Sequence, residues 1–367
     1  MDLYITLKNS IIDEYLNRSQ NYPWIVGYSG GKDSTLALQL VLDALSEIPP
    51  SLRNRHVHVV ANDTLVEAPL VSNYLNRQLS LLEQLSQQSK LPLTIKRTEP
   101  QLKDRYWVLL IGKGYPSPNQ SFRWCTTRLK IKPTSGYILD QISNNGNAIL
   151  ILGVRSDESV SRAKSIQKHQ NIAFSNLTPH TTLPGAFVYR PIVNVTTDEV
   201  WEMLAYYNPL WNSSNEELIQ LYRDANSGEC PVVLSEEEAP GCGTNSSRFG
   251  CWVCTVVNKD KSMEGFIESG YTDYKILSEF RELILQMRDN DSFREAKRRN
   301  QTDYQFKSGR HIKGPFTLEA RNILLAELLK CQTTLGIELI SSAEIELIHD
   351  IWREDYKHKL KEIKNVK

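Results

Sequence analysis

One short run of glycines, hydroxyls and a lysine has the composition of a phosphate-binding loop, and it reads YSGGKDST over residues 28–35. Apolar residues 24–27 precede it and apolar residues 36–42 follow it, which predicts a strand before the loop and a helix after it. Backbone N–H groups at a helix N-terminus attract anions, and glycine lets the backbone approach a phosphate closely. The spacing does not fit the G-x-x-x-x-G-K-S/T pattern of P-loop proteins. The candidate nucleotide-binding residues here are Ser29, Gly30, Gly31, Lys32, Asp33 and Ser34.

The loop resembles the SGGKDS pyrophosphate loop of the ATP pyrophosphatases. That resemblance implies cleavage of ATP between its α and β phosphates, with AMP transferred to an acceptor oxygen and pyrophosphate released. Fixed N–H dipoles together with Lys32 would stabilise the charge that develops on the leaving pyrophosphate. We expect Lys32, Asp33 and Ser34 to act in catalysis. Asp33 either holds Mg²⁺ through water or caps the helix that begins near Ser34.

The elements around the loop predict an α/β fold, with a doubly wound and mostly parallel sheet like that of the ATP pyrophosphatases. Apolar runs alternate with helical patterns at residues 57–61, 69–89, 93–96 and 148–153. In such sheets ligands bind at the carboxyl ends of the strands. Asp63 and Thr64 follow one strand and Arg155 follows another, so we expect all three to bind the nucleotide. For Arg155 the expected role is a fork onto phosphate or carboxylate, and the alternative is an ion pair with Glu158.

Length and charge limit the possible function classes. The chain has 367 residues, and its 43 Lys and Arg equal its 43 Asp and Glu, so any contact with nucleic acid must come from local patches. The first 20 residues lack the apolar core of a signal peptide, and no apolar run has the length of a membrane span, so we expect a cytoplasmic protein without a membrane partner. We predict a nucleotide-binding domain at 1–210 and a cysteine-bearing, helical region at 211–367, whose last helix opens with a capping box at 341–344.

The six cysteines are the second chemical signal, because a reducing compartment favours metal or redox roles over disulfides. Zinc sites more often combine two C-x-x-C pairs, or one pair with two histidines, whereas one pair with dispersed cysteines suits a [4Fe–4S] cluster. Zinc and redox or persulfide-carrying thiols remain alternatives. The chosen ligands are Cys125, Cys242, Cys251 and Cys254, with Cys230 in reserve. Cys331 lies in a leucine-rich helical pattern, which predicts a buried, inert thiol.

Two basic segments could contact a substrate phosphate or DNA, although each could also be a solvated face. In the first, an aromatic side chain and a cysteine alternate with basic side chains: Arg123, Trp124, Cys125, Arg128, Lys130 and Lys132. The second runs over residues 294–299 and continues with Tyr304, Phe306, Lys307, Arg310, His311 and Lys313.

The loop, together with Asp63, Thr64 and Arg155 after their strands, resembles the phosphoadenosine-phosphosulfate reductase-like branch of the ATP pyrophosphatases. With the phrase SRFGCWVCT at residues 247–255, this pattern resembles the DndC family of DNA phosphorothioation sulfurtransferases. This resemblance implies an ATP-dependent sulfurtransferase of bacterial DNA modification and defence. Such an enzyme adenylates a DNA backbone phosphate and lets sulfur replace a non-bridging oxygen. It implies ATP, Mg²⁺ and a [4Fe–4S] cluster as cofactors. The implied partners are DNA, a cysteine desulfurase as sulfur donor, an ATPase and a small DNA-binding subunit.

Three other functions share parts of this pattern. A reductase of adenylylated sulfate would need a redox cysteine near the C-terminus, where the last cysteine is Cys331 in an apolar pattern. An iron–sulfur tRNA thiolase would share the loop and the cluster. A DNA-binding iron–sulfur protein with an inactive nucleotide site would not need the intact loop.

Overall fold

The computed structural model describes residues 2–16, 22–156, 176–225, 249–298 and 313–365. The chain divides into two compact units, each made of three segments. The first comprises Met1–Asn62, Pro69–Thr98 and Thr134–Phe249, and the second comprises Asp63–Ala68, Glu99–Pro133 and Gly250–Lys367. The boundary that we placed near residue 210 lies inside the first unit. Two segments from early in the chain belong with the C-terminal region, and a change of composition along the sequence cannot reveal such a discontinuous unit.

The first unit contains a six-stranded sheet. Its strands are β1 (Trp24–Gly27), β2 (Val57–Asn62), β3 (Leu93–Thr98), β4 (Ala148–Leu152), β5 (Leu177–Pro179) and β6 (Ala186–Tyr189). The strand order is β3-β2-β1-β4-β6-β5, and every neighbouring pair is parallel except β5 and β6. In register, Trp24 at the start of β1 is paired with Val57 and Ile149. The predicted α/β fold with a mostly parallel sheet is confirmed.

The helices of this unit alternate with the strands. They are α1 (Leu3–Leu16), α2 (Lys32–Glu47), α3 (Pro69–Gln88), α4 (Lys132–Asn145), α5 (Thr197–Tyr206) and α6 (Asn215–Ala225). The first two residues of α4 are assigned to the second unit. Residues 24–26 of β1 are buried, because a parallel strand at the centre of a sheet is covered on both faces. Most residues of α2 are buried as well. β1 lies where the strand order reverses, between β2 and β4. The loop that joins β1 to α2 is therefore at the position where open α/β sheets bind ligands.

The second unit is mainly helical, as predicted for the C-terminal region. Its long helices are α7 (Lys261–Glu268), α8 (Lys275–Asp289), α9 (Leu318–Leu335) and α10 (Ser342–Asn365). The predicted capping box is present before α10, since Ser341 N donates to Glu344 Oε2 at 3.2 Å and Glu344 N donates to Ser341 Oγ at 3.3 Å. Two stretches adopt the rare π-helical form, Val108–Gly112 and Thr126–Ile131.

No helix in the described part of the chain combines the length and the apolar character needed to cross a membrane.

Candidate functional site

The loop between β1 and α2 is a turn whose geometry requires glycine. Gly30 has φ +74°, in the left-handed region, and a Cβ there would lie 3.3 Å from a methyl carbon of Leu75. Gly31 is the N-cap of α2, and no side chain supplies a capping hydrogen bond. The first turn of α2 therefore presents backbone N–H groups without a side-chain cap, which is the arrangement that binds anions.

The hydroxyl of Ser34 closes the loop on itself. Ser34 Oγ donates to Gly31 O at 2.9 Å, accepts from Ser29 N at 3.2 Å and lies 3.0 Å from Ser29 Oγ. Ser34 is buried, whereas Ser29 is exposed. The structure thus gives Ser34 a bracing role within the loop, and its predicted catalytic role remains a prediction.

Asp33 does not cap α2, so that interpretation of the sequence was wrong. Its carboxylate lies in the first turn and accepts from two cations, Lys32 Nζ at 3.1 Å and Arg155 Nε at 2.6 Å. Two opposite charges beside one carboxylate fix its position. The role of Asp33 in holding Mg²⁺ is still a prediction.

Arg155 is engaged within the protein instead of being directed at solvent. It is 1% exposed, and besides Asp33 it donates to Val195 O at 3.1 Å and to Thr197 Oγ1 at 3.0 Å. A buried guanidinium with its nitrogens on three protein groups cannot also fork onto a phosphate without losing those bonds. In this structure Arg155 positions Asp33, and its expected contact with a phosphate stays a prediction. The alternative partner, Glu158, lies outside the described residues.

Gly153 allows β4 to approach the loop, and the sequence analysis did not single it out as a site residue. A Cβ at position 153 would lie 2.4 Å from Asp33 O and 2.9 Å from Ser34 Cα, distances that real Cβ atoms do not show. Its only signal in the sequence is a glycine directly after the strongest predicted strand.

Tyr222 is a second residue of the loop environment that sequence reasoning missed. Its hydroxyl accepts from Lys32 N at 3.4 Å, and Lys32 Nζ lies 5.7 Å from the centre of its ring. Trp201 and Phe249 pack against the ring at centroid distances of 4.9 and 4.4 Å. No sequence signal connects this helix residue with the loop.

Asp63 and Thr64 belong to the second unit, where they are associated with a cysteine. Asp63 Oδ1 accepts from Leu65 N at 2.7 Å, and Thr64 Oγ1 lies 3.4 Å from Cys251 Sγ. Leu65 has φ +64°, a left-handed conformation that is uncommon for a branched side chain and is tolerated where the surroundings enforce it. The expected contact of Asp63 and Thr64 with a nucleotide stays a prediction.

Glu67 is a further residue of this region that was not among the predicted site residues. Its Oε1 accepts from Thr64 N at 3.2 Å and from Thr64 Oγ1 at 2.6 Å, and its backbone forms an antiparallel bridge with Cys251. Burial, and next the charge of Asp63, raise the pKa of Glu67 to about 7. A carboxyl group that titrates near neutrality beside a cysteine is a functional-site signal.

Three of the four predicted metal ligands lie in the second unit around one buried ring. Cys254 N donates to Cys251 O at 3.0 Å, which folds the C-x-x-C into a tight turn. This ring belongs to Tyr106, whose hydroxyl donates to Val253 O at 3.3 Å. Burial is the main cause that raises the pKa of Tyr106, and the nearby thiols of Cys125, Cys251 and Cys254 raise it further. The structure thus brings Cys125, distant in sequence, into the neighbourhood of the C-x-x-C.

The environment of Cys125 and Cys251 favours the protonated form of their thiols. Burial raises the pKa of Cys251 to about 12, and burial and the nearby Cys254 raise that of Cys125. The ammonium of Lys130 lowers the pKa of both thiols, which places a cation near them. Cys331 is buried in α9, as predicted, and burial raises its pKa to about 11.

A family model described as the phosphoadenosine phosphosulfate reductase domain matches residues 23–257, a range that includes both the loop and the C-x-x-C. The chain belongs to this family. Membership of the phosphoadenosine phosphosulfate reductase domain family supports an enzyme that uses an adenine nucleotide, in agreement with the loop geometry.

Individual relatives are more distant. An uncharacterized protein of Methanocaldococcus jannaschii is 25% identical over an alignment of 180 residues. The alignment covers 46% of this chain and 32% of that protein. The chain thus matches about a third of the length of that curated relative.

Solved structures also resemble the chain, at low identity. Candida glabrata FMN adenylyltransferase with FAD and pyrophosphate is 14% identical with a TM-score of 0.37, covering 61% of each chain. The phosphoadenylyl-sulfate reductase of Candida auris is 13% identical with a TM-score of 0.32, covering 56% of this chain and 86% of that one. The U34-tRNA thiolase NcsA of Methanococcus maripaludis, with its [4Fe–4S] cluster, is 14% identical with a TM-score of 0.36, covering 78% of each. At these values the likenesses carry no argument about activity.

The next question is whether the cysteines that the structure describes could ligate the predicted [4Fe–4S] cluster. Cys125, Cys251 and Cys254 supply three soft thiols within electrostatic reach of one another, which is the type of ligand that a [4Fe–4S] cluster requires. The fourth chosen ligand, Cys242, and the reserve, Cys230, lie outside the described residues. Within the described ranges, no three His, Cys, Asp or Glu side chains are placed to hold a single metal ion.

The two basic segments differ in how their charges are used. In the first, Arg128 and Lys132 pair with the buried Asp104 at 2.5 and 3.4 Å, while Arg123 and Lys130 are exposed. In the second, Arg294 is a structural residue: its Nε donates to Gly314 O at 2.8 Å and its guanidinium lies over the ring of Phe316. Lys313 pairs with Asp291 at 3.3 Å. Lys297 is exposed and Arg298 is half-buried. The remaining residues of the predicted second run lie outside the described residues: Arg299, Tyr304, Phe306, Lys307, Arg310 and His311.

Proposed function

We propose that the chain is an ATP pyrophosphatase that acts as a sulfurtransferase in DNA phosphorothioation. The observation that carries the proposal is that one chain of this family combines an anion-binding loop with three gathered thiols beside a lysine. A loop alone would serve many adenylating enzymes. Thiols of this kind are needed when sulfur is the nucleophile or when a cluster must be held.

In the proposed first step, a non-bridging oxygen of a DNA phosphodiester attacks the α-phosphorus of ATP. The bond from the α-phosphorus to the bridging oxygen breaks, and pyrophosphate leaves. Mg²⁺, when bound, would supply positive charge to the leaving pyrophosphate. The loop N–H groups and Lys32 stabilise the leaving pyrophosphate, since they are already oriented and need little reorganisation. Asp33 keeps Lys32 in place at 3.1 Å, and Arg155 fixes Asp33.

In the second step, sulfur attacks the activated DNA phosphorus and AMP leaves with the former non-bridging oxygen. The proposed donor is a persulfide made by a cysteine desulfurase, whose terminal sulfur forms the new phosphorus–sulfur bond. The sulfur–sulfur bond is then broken by a thiol, which gives a disulfide, and a dithiol reductant restores both thiols. The ATPase and the small DNA-binding subunit of such a system would act on DNA alongside this chain.

Cys125, Cys251 and Cys254, with Cys242 as the fourth, would hold the [4Fe–4S] cluster. When bound, it would supply a site that holds sulfur or transfers electrons. The raised pKa values of Cys125 and Cys251 mean that loading the cluster must displace protons from these thiols.

Mass spectrometry of nuclease-digested DNA tests the proposal. DNA should be taken from cells that carry the chain with its partner genes, and compared with DNA from cells carrying Lys32→Ala. We expect phosphorothioate dinucleotides only with the intact chain. Their absence in both strains, with partner proteins expressed, would contradict the proposal.

A reductase of adenylylated sulfate is the second candidate, because the matching family model carries the reductase description. Incubation of the purified chain with adenylylated sulfate and a dithiol distinguishes the two. Sulfite release without ATP would favour the reductase, whereas pyrophosphate release that depends on ATP and DNA favours the sulfurtransferase. Sulfur appearing in tRNA instead of DNA would indicate a thiolase.

A further inference from the structure

We propose that an exposed surface formed by Phe122, Arg123 and Lys130 binds an unpaired DNA strand and brings its backbone to the cysteines. This strand-binding surface deepens the proposed function and rests on it for the identity of the nucleic acid. All three side chains belong to the second unit, as do Cys125 and Cys251.

The fold itself holds Phe122 in solvent. Phe122 is 44% exposed, yet its backbone N–H donates to Asn119 Oδ1 at 2.9 Å, which fixes the turn that carries it. Two residues later Trp124 is buried, donates to Pro116 O at 2.9 Å and stacks on Tyr106 with ring centroids 5.3 Å apart. The segment is therefore anchored on its inner side, while one aromatic ring stays outside.

Two of the four positive side chains along this segment form ion pairs within the protein, and the other two are exposed. The buried Asp104 takes Arg128 and Lys132 as partners, and these pairs brace the segment. Arg123 and Lys130 are exposed, and neither forms an ion pair with a carboxylate in the described ranges. Two positive charges are thus left for an external anion.

The position of Lys130 links this surface to the thiols. Its ammonium is close enough to Cys125 and Cys251 to lower the pKa of both. Lys130 also lies in the π-helical stretch Thr126–Ile131, which begins directly after Cys125. A phosphate bound by Lys130 would therefore lie beside the predicted sulfur-handling cysteines, which an ordinary solvated basic face does not achieve.

The combination of one exposed ring with two cations selects an unpaired strand over a duplex. Arginine and lysine bind backbone phosphates, and an exposed ring stacks on a base with about 1–3 kcal/mol per base. In a duplex the base faces are already stacked, so the ring of Phe122 would have no base face available. The chain as a whole has no net charge, so the interaction must come from this patch.

Fluorescence anisotropy of the full-length protein tests the surface, with a labelled single strand, the matching duplex and RNA of the same sequence. We expect the single DNA strand to bind most tightly. Phe122→Ala should weaken its binding by roughly 5- to 150-fold. Lys130→Gln should weaken it and reduce the slope of log K against log salt by about 0.7, the value for one phosphate on a single strand.

Matched controls come from exposed residues of the first unit. Tyr206→Ala removes a ring that is 78% exposed, and Lys90→Gln removes an exposed lysine. Neither change should alter strand binding. Unchanged binding by Phe122→Ala, tighter binding of duplex, or tighter binding of RNA would overturn the proposal.

The failure of the surface and the failure of the proposed function can be told apart. Loss of strand binding in Phe122→Ala, together with the absence of phosphorothioate in DNA from cells that carry the intact chain, would support the surface and contradict the sulfurtransferase. Phosphorothioate DNA made at the normal level by Phe122→Ala would overturn the surface and leave the sulfurtransferase standing.

Discussion

The loop in the first unit and the cysteine region in the second are built in opposite ways. The loop comes from one short stretch, residues 29–34, and a turn with left-handed Gly30 directs its N–H groups. The cysteine region gathers residues 63–68, Cys125 and residues 251–254 from distant parts of the chain. A contiguous motif fixes its geometry through local backbone conformation, whereas a dispersed one depends on tertiary packing.

The two regions also treat charge differently. At the loop, charged groups satisfy each other, since Asp33 accepts from Lys32 and Arg155. In the cysteine region burial dominates, and it raises the pKa of Cys251 to about 12 and that of Glu67 to about 7. The loop therefore offers an anion fixed N–H groups, while the thiols of Cys125 and Cys251 must lose protons before they can bind metal.

The largest effect is expected from Lys32→Ala. Loss of the ammonium that we expect to stabilise the leaving pyrophosphate should lower ATP-to-pyrophosphate turnover by roughly 10²–10³-fold or more. Because the loop and the cysteines lie in different units, iron content should not change. Pyrophosphate release and iron are measured on the same anaerobic preparation, with Lys90→Ala as the control. Normal turnover in Lys32→Ala would refute the loop assignment.

Cys251→Ser is the converse change and should remove the cluster. A hydroxyl is a harder, weaker ligand than a thiolate, so iron and acid-labile sulfide should fall from about four each per chain to near zero. Binding of ATP should persist, because the loop does not depend on this residue. Cys331→Ala is the matched control and should keep the iron. Unchanged iron and visible absorption in Cys251→Ser would rule out this ligand.

Gly153→Ala should disturb the loop without touching any charged group. The added Cβ would lie 2.4 Å from Asp33 O, so the backbone must shift, at a cost of about 1–3 kcal/mol. Misplacement of the loop should reduce pyrophosphate release by roughly 10- to 100-fold. Gly136→Ala is the control, since a Cβ there meets nothing within 4 Å. Equal activity of the two variants would show that the close approach of β4 is not needed.

The difference between the two regions also explains what the sequence could predict. The strand, turn and helix around the loop depend on local periodicity and on glycine, and they form where expected, as does the capping box at Ser341. The partner of Arg155 and the place of Tyr222 depend on contacts across long sequence separations, which no local pattern encodes. For the same reason, no local pattern showed that Asp63 belongs to the unit of the cysteines, and its contact with the nucleotide stays a prediction.

The smallest expected effect is a loss of stability at acidic pH, which should occur in the sheet of the first unit and not in the helices of the second. His58 in β2 is buried against Tyr137, and burial, with a smaller contribution from His56, lowers its pKa to about 4. The unfolded state takes up this proton near pH 6.5, whereas the folded state does not. Stability in this unit should therefore fall by about 1–2 kcal/mol as the pH drops from 7 to 5.

Hydrogen exchange resolves this effect by element. After correction for the intrinsic exchange rate, amides of β1 and β2 should lose protection between pH 7 and pH 5. Amides of α9, a helix without histidine, should not lose protection over this pH range. His58→Gln removes the titrating ring and should abolish most of the difference in the sheet, whatever it does to stability at pH 7. A pH effect of equal size in α9, or one that survives in His58→Gln, would mean that the acid sensitivity belongs to the whole protein and not to the sheet that carries the loop.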